Sequence, residues 1–284
     1  MIKHEKEYVL KVEKEESLSF VESLKKMNIN FIKKEGNFLE FDLIGVDPSI
    51  ANTLRRIIIS EVPSIAAEKI LVYKNSGDVP EEILANRIGL IPVLRDPECV
   101  HDLSEKKFTL KVKNKENKVL SVYSNDIEGE ENFFKPNVLL TKLGPKQEIH
   151  LEIFCNINIG KDHAKYSPVS PATYRLMPSI KIGEIYDEEA IKLASLFPEG
   201  VIGLNNENGR IKAYVKGPRK DFVSREVLRY NEFDNKVWIG REVNHFIFTI
   251  ESIFMDSLII LQRAISILIK KAEKLKNDIL KRDD

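Results

Sequence analysis

Ile149, Leu151, Ile153, Cys155, Ile157 and Ile159 occupy every odd position across an unbroken stretch of chain. Successive side chains of a strand point to opposite faces, so this run predicts a sheet with one buried face. Phe38 to Ile44 alternates in the same way, with Leu39, Phe41 and Leu43 set against Glu40 and Asp42. Weaker strand patterns fall at Tyr8 to Val12, Ile65 to Tyr73, Phe108 to Val112, Leu120 to Val122, Thr173 to Ile182, Ile211 to Val215 and Val243 to Ser252. Short helices are expected from Ser19 to Asn28, Glu81 to Ile88 and Asp187 to Leu196, and an acidic loop from Asn125 to Pro136. Runs of strands broken by a few helices, without regular βα alternation, predict an α+β fold.

Two further helices have unusual surfaces. The first runs from Asp47 to Pro63: Asp47 can cap the first turn, Pro48 has the φ that turn wants, and Pro63 ends it. Ile50, Ala51, Leu54, Ile57 and Ile58 fall within an arc of about 120°, enough to lie on a core. Asn52, Arg56 and Ile59 point away from it, with Arg55 at its margin. Either this is a surface helix with one stray isoleucine, or it is held between its own sheet and a partner protein. The second helix, Asp256 to Leu280, would measure roughly 38 Å. Phe254, Leu258, Leu261, Ile265, Leu268, Ala272, Leu275 and Ile279 form a heptad seam along it. Ile259, Ile260 and Ile267 make the part up to Ile269 apolar on other faces too, so burial on several sides is expected there. Beyond Lys270 only the seam stays apolar among lysines, which predicts a projecting half that pairs with a helix of another chain.

Composition excludes several classes of function. The 284 residues allow one large domain or two smaller ones, and 44 Lys plus Arg balance 44 Asp plus Glu. Such balance argues against a protein that holds naked nucleic acid by phosphate neutralisation, without excluding a small basic patch, and no direct sequence-specific nucleic-acid binding is expected. Cys99 and Cys155 stand alone, so neither a cysteine zinc site nor an iron-sulfur cluster can be assembled, and two thiols in a reducing compartment are expected. Met1 leads into Lys3, Glu5, Lys6 and Glu7 with no apolar core, and the longest apolar runs are too short for a bilayer, so an intracellular, soluble protein is expected. No phosphate-binding glycine loop, nucleophile elbow or zinc-binding His-Glu-x-x-His helix occurs. His4, His101, His150, His163 and His245 are too scattered for a metal site. The most enzyme-like stretch is Gly160 to Pro168, which gathers Asp162, His163, Lys165 and Tyr166. It supplies no nucleophile, base and orienter trio, and reads as a docking loop or structured turn. No catalytic residue, cofactor or metal is expected.

Phe41-Asp42-Leu43-Ile44-Gly45-Val46-Asp47, followed by Ser49-Ile50-Ala51-Asn52 and Leu54-Arg55-Arg56, resembles the signature of alpha-like subunits of multisubunit RNA polymerases. Ala85 to Pro92, His163 to Val169 and Tyr174 to Pro178 agree in order. Within that family the wording, including Ser224 to Arg229 and His245 to Phe248, is similar to the alpha-like subunits shared by nuclear RNA polymerases I and III. The resemblance covers Phe38 to Lys276. It implies a split dimerisation domain, residues 1 to 62 with 171 to 284, around an insert domain at 63 to 170. It further implies a non-catalytic scaffold in the nucleus, including the nucleolus. There it would pair with a small alpha-like subunit and carry the largest and second-largest subunits and small zinc-binding subunits. Asn52, Leu54, Arg55, Arg56, Ile59, Leu258, Leu261, Ile265, Leu268, Leu275, His163 and Lys165 are the implied partner-binding residues, with Arg55 and Arg56 facing the second-largest subunit. The insert lacks the cysteine clusters of some archaeal and RNA polymerase II relatives, and Glu251 to Asp256 lacks the usual Gly and Pro before the last helix. An RNA polymerase II or archaeal counterpart is the alternative within the family, and an enzyme using the Gly160 to Pro168 loop is the alternative outside it.

Overall fold

The structure is a computed structural model that describes residues 2–5, 9–11, 27–100, 103, 106–207, 209–222 and 225–281. It opens with strands β1 (Ile2–His4), β2 (Val9–Lys11), β3 (Asn28–Glu35) and β4 (Phe38–Ile44), then helix α1 (Pro48–Ser60). Next come β5 (Pro63–Asn75), α2 (Glu81–Gly89), β6 (Lys107–Lys113), β7 (Leu120–Tyr123), β8 (Ile127–Glu128), β9 (Leu139–Leu143) and β10 (Glu148–Ile159). The chain then runs through β11 (Val169–Ile182), α3 (Asp187–Ser195), β12 (Ile202–Glu207), β13 (Arg210–Val215), β14 (Val237–Ser252) and α4 (Ser257–Leu280). The class is α+β, as the sequence predicts. Tyr8, Val12, His101, Ser224 and all of the expected Ser19 helix before Met27 lie outside the described residues, and Asn28, its expected end, opens β3 instead.

Two compact units share the chain. One takes Met1–Ile32, Glu40–Asn52 and Tyr174–Phe248; the other takes Lys33–Leu39, Thr53–Thr173 and Thr249–Asp284. The first unit rests on the sheet ordered β2-β1-β14-β4-β3, with β11 also paired to β14. Its Phe41 and Phe248 rings stack at 5.0 Å, and Tyr174 meets Phe246 edge-on at 5.2 Å. A cluster that includes Ile185, Leu193, Val201, Phe233 and Ile239 buries one face of α3 and of the β12–β13 hairpin. Of these, Leu193 of α3 and Ile239 of β14 are placed inside by helical and strand periodicity, while Ile185, Val201 and Phe233 come from the connections.

The second unit centres on the sheet β5-β10-β6-β8, in which β10 runs antiparallel to both β5 and β6. Ile149, Leu151, Ile153 and Cys155 of β10 are buried, so the alternation does select one core face. Phe108, Leu110, Phe133, Leu84 and Ile88 complete that core, with the Phe108 and Phe133 rings 4.4 Å apart. Ile157 is 37% exposed, because the pattern outlasts the core. The acidic stretch from Asn125 to Pro136 is not all loop: Ile127–Glu128 pairs with β6. Pro63, expected only to end a helix, also opens β5.

Burial pushes the Cys155 thiol up to about 12, whereas Cys99 is exposed. Since the thiolate is the nucleophile, iodoacetamide at pH 8 is expected to label Cys99 alone in the native chain and both cysteines after denaturation in guanidinium. Intact mass before and after denaturation reads the number of alkyl groups.

Candidate partner interface

Helix α1 starts where its sequence demands. The Ser49 amide donates to Asp47 Oδ1 at 2.8 Å and the Ser49 hydroxyl donates to the same oxygen, which holds the Asp47 carboxyl below its ordinary value. Ala51, Leu54, Ile57 and Ile58 form the buried stripe. Ile50, expected in that stripe, is 38% exposed, because the whole first turn from Pro48 to Ile50 stands clear of the core. On the opposite face Asn52, Arg55 and Ile59 are half-buried and Arg56 is exposed. Leu54 is packed inside the chain, at 5% exposure.

A cleft of about 510 Å³ lies along the last turns of α1, lined in part by Arg55, Arg56, Ile59, Glu61, Lys161 and Lys271. Its floor depends on a close approach: the Lys161 amide donates to the Ser60 carbonyl at 2.9 Å, satisfying an orphan carbonyl at the helix end. Gly160 permits this, since a Cβ there would overlap the Ile59 carbonyl oxygen. Glu61 is the one carboxylate of the lining, and it already pairs with Lys271 at 2.6 Å. The cleft is therefore basic.

Helix α4 is capped by Asp256, whose Oδ1 accepts from the Leu258 amide at 2.7 Å. The Ser252 hydroxyl accepts from the Phe254 and Met255 amides, so a serine turn makes the junction into the helix. Ser257, Ile260, Leu261 and Ala264 are buried, a stripe on one side of the helix. Burial on several sides up to Ile269 does not occur: Ile259 is 39% and Ile269 52% exposed, because both sit away from that stripe. Of the seam residues, Leu261 is buried and Leu258, Ile265 and Leu268 are half-buried, while Leu275 and Ile279 are 63% and 54% exposed. Arg263 ties the buried half down, its Nη2 donating to both Asp96 oxygens at 2.8 and 2.9 Å and lying 2.9 Å from Glu98. That clamp had no local signal in the sequence.

The Gly160 to Pro168 loop is a structured turn. His163 is exposed, and its Nδ1 accepts from the Lys165 amide at 3.1 Å. Lys165 is turned inward, with its Nζ 2.5 Å from Glu68 Oε2, an oxygen that also accepts from the Tyr166 hydroxyl. Lys165 and then Tyr166 hold the Glu68 carboxyl below its ordinary value. Other signature residues also serve the fold. Arg87 donates to the Leu139 and Leu140 carbonyls, and Arg219 donates to Asp42 at 2.6 and 2.8 Å and to Glu40. Among the described residues no group of His, Cys, Asp and Glu could hold a metal ion, and no helix is long and apolar enough to cross a membrane.

The sequence profile of the RNA polymerase Rpb3/Rpb11 dimerisation domain matches residues 40–272, from β4 into the exposed half of α4. The chain belongs to that family. It is 42% identical to the DNA-directed RNA polymerases I and III subunit RPAC1 of Saccharomyces cerevisiae, over 90% of this chain and 89% of that one. It is 33% identical to the subunit of the same name from Homo sapiens, over 90% and 85% of the two chains. DNA-directed RNA polymerase subunit Rpo3 of Methanothermobacter thermautotrophicus is 31% identical over 88% and 97%. The dimerisation profile thus takes in α1 and the first two thirds of α4, up to residue 272.

Gly160→Ala is expected to force the turn off the α1 end and destabilise the chain by about 1–3 kcal/mol, read as a lowered Tm in calorimetry. Glu68 gives a pH test. A carboxyl held below its ordinary value stabilises fully above the ordinary glutamate pKa, 4.5, and loses that contribution as pH falls through its folded value. Glu68→Gln should therefore shrink the stability difference between pH 7 and pH 3 in urea titrations.

Proposed function

We propose that this chain is the alpha-like scaffold subunit shared by nuclear RNA polymerases I and III, with no chemistry of its own. The observation that carries this reading is the α4 seam: its apolar line continues through Leu275 and Ile279 after every contact with its own core has ended. A helix surface of that kind is completed by a second helix. The occupant is a small alpha-like subunit, received on the open sides of α1 and α4 by Asn52, Ile59, Leu258, Ile265, Leu268 and Leu275. The basic cleft at Arg55 and Arg56 meets the second-largest subunit, since arginine forks suit carboxylates and carbonyls across an interface. The exposed His163 belongs to the docking surface, and the largest subunit and the small zinc-binding subunits join the assembled platform. Residues 1 to 62 with 171 to 284 act as the dimerisation part and 63 to 170 as the insert. The nucleus, including the nucleolus, is the site of action.

Higher identity to the subunits of polymerases I and III than to the archaeal subunit favours those two machines. Mass spectrometry of the purified complex tests that choice through the large subunits that co-purify. The scaffold reading is tested by co-expression with the small alpha-like subunit and size-exclusion chromatography. The wild type should co-elute with it at equal stoichiometry. Leu275→Asp with Ile279→Asp should abolish co-elution while leaving the Tm of this chain unchanged, because both side chains are more than half exposed. Co-elution that survives the double substitution refutes the seam as the pairing surface.

A further inference from the structure

The face of the β5-β10-β6 sheet turned away from the core has a regular composition. Register places Lys111 and Lys74 on either side of His150, and Lys107 and Lys69 on either side of Phe154. Each row is a lysine, an aromatic ring on the central strand, and a second lysine. Glu152 lies between the rows, beside Thr109 and Leu71. The rows are roughly 13 Å apart, four residues along β10 at about 3.3 Å each. Tyr73 packs on His150 with ring centroids 5.0 Å apart, widening the upper row into a two-ring platform.

Charge on this face does not balance. Glu148 is shared by Lys74 and Lys113, and Glu152 accepts from Lys107 at 3.0 Å and from the Tyr73 hydroxyl at 3.0 Å. Lys69 and Lys111 are exposed and have no ion pair among the described residues. Lys69, Lys74, Lys107, Lys111 and Lys113 against Glu148, Glu152 and, on β8 beside Thr109, Glu128 leave an excess of two positive charges, five less three. The neutrality of the whole chain conceals this local field.

We propose that this sheet face is a platform for single-stranded nucleic acid, held by base stacking and phosphate neutralisation without sequence readout. Cations alone would suit any polyanion; rings set between them on an antiparallel sheet select stacked bases. The lysines stand on both outer strands, so a strand whose bases lie on His150, Tyr73 and Phe154 meets ammonium groups on either side. The proposal is independent of the scaffold reading, since it uses none of the residues assigned to the partner surface of α1 and α4.

Fluorescence anisotropy of the full chain with labelled oligo(U) and oligo(dT) of about twelve nucleotides tests it, with a labelled poly-glutamate peptide as the comparison. Binding of either oligonucleotide, tighter than poly-glutamate and weakened by salt, is expected; the pair of probes distinguishes RNA from DNA. Lys111→Ala should lessen the log–log salt slope by about 0.7, the single-strand value for one phosphate contact. Tyr73→Ala and His150→Ala should each weaken binding roughly tenfold with the slope unchanged. Tyr73 is 58% exposed, so its variant keeps the fold even where a change at half-buried His150 perturbs it, and Tm checks both. Absence of oligonucleotide binding, equal binding of poly-glutamate, or affinities indifferent to Lys111→Ala and Tyr73→Ala overturns the proposal.

Discussion

The end of α4, from Lys270 to Leu280, is helical yet exposed along its whole length. A helix that short has little stability of its own in water, because nucleation is costly and each added residue returns little. It persists as an extension of a half that is already fixed. Ile260, Leu261 and Ala264 are sunk in the core, the Asp256 cap satisfies the first turn, and Arg263 is clamped to Asp96 and Glu98. Burying side chains of the Ile260 and Leu261 kind contributes about 1.5–3 kcal/mol each, which offsets the ordering of the turns beyond them. The projecting seam therefore depends on the anchored half.

Helix α1 applies the same division around its circumference instead of along its length. One side commits Ala51, Leu54, Ile57 and Ile58 to the core, and on the other Arg56 is exposed with Arg55 and Ile59 half-buried beside it. Its C-terminal carbonyls would attract cations in any case, and the Lys161 and Lys271 side chains are brought to the same cleft. Lys271 stands on α4 and pairs with Glu61 just beyond α1, so the basic cleft and the projecting helix adjoin within one compact unit. A partner that covers one meets the border of the other.

Most of the motif residues that carry the family resemblance hold the fold and do not face outward. Phe41 stacks on Phe248, Arg87 pins α2 to β9, Asp42 receives Arg219, and Lys165 turns to Glu68. Within these motifs Asp47, Arg56, Asn86, His163, Arg225 and Arg229 are among the polar residues left exposed. An assembly subunit of this kind is recognised through its frame, because the frame sets where two helix surfaces end up.

Periodicity and capping are local properties, and through them the sequence by itself determined the α+β class, the buried face of β10, the Asp47 cap and the seam of α4, while its motifs determined the family. It did not reveal β3, β9 or β12, whose alternation is interrupted by lysines, glycine and asparagines. Nor could it say where each stripe leaves the core, which is why Ile50 and Ile259 were expected inside and lie outside. Those limits depend on the size of the surface the helix rests on, which is built by distant segments. The tertiary structure alone decided the long-range ion pairs, Arg263 with Asp96 across 167 residues, Arg219 with Asp42 across 177 and Lys271 with Glu61 across 210. Charged side chains of that kind read as solvent-facing in any local window, and only the folded chain brings their partners within reach.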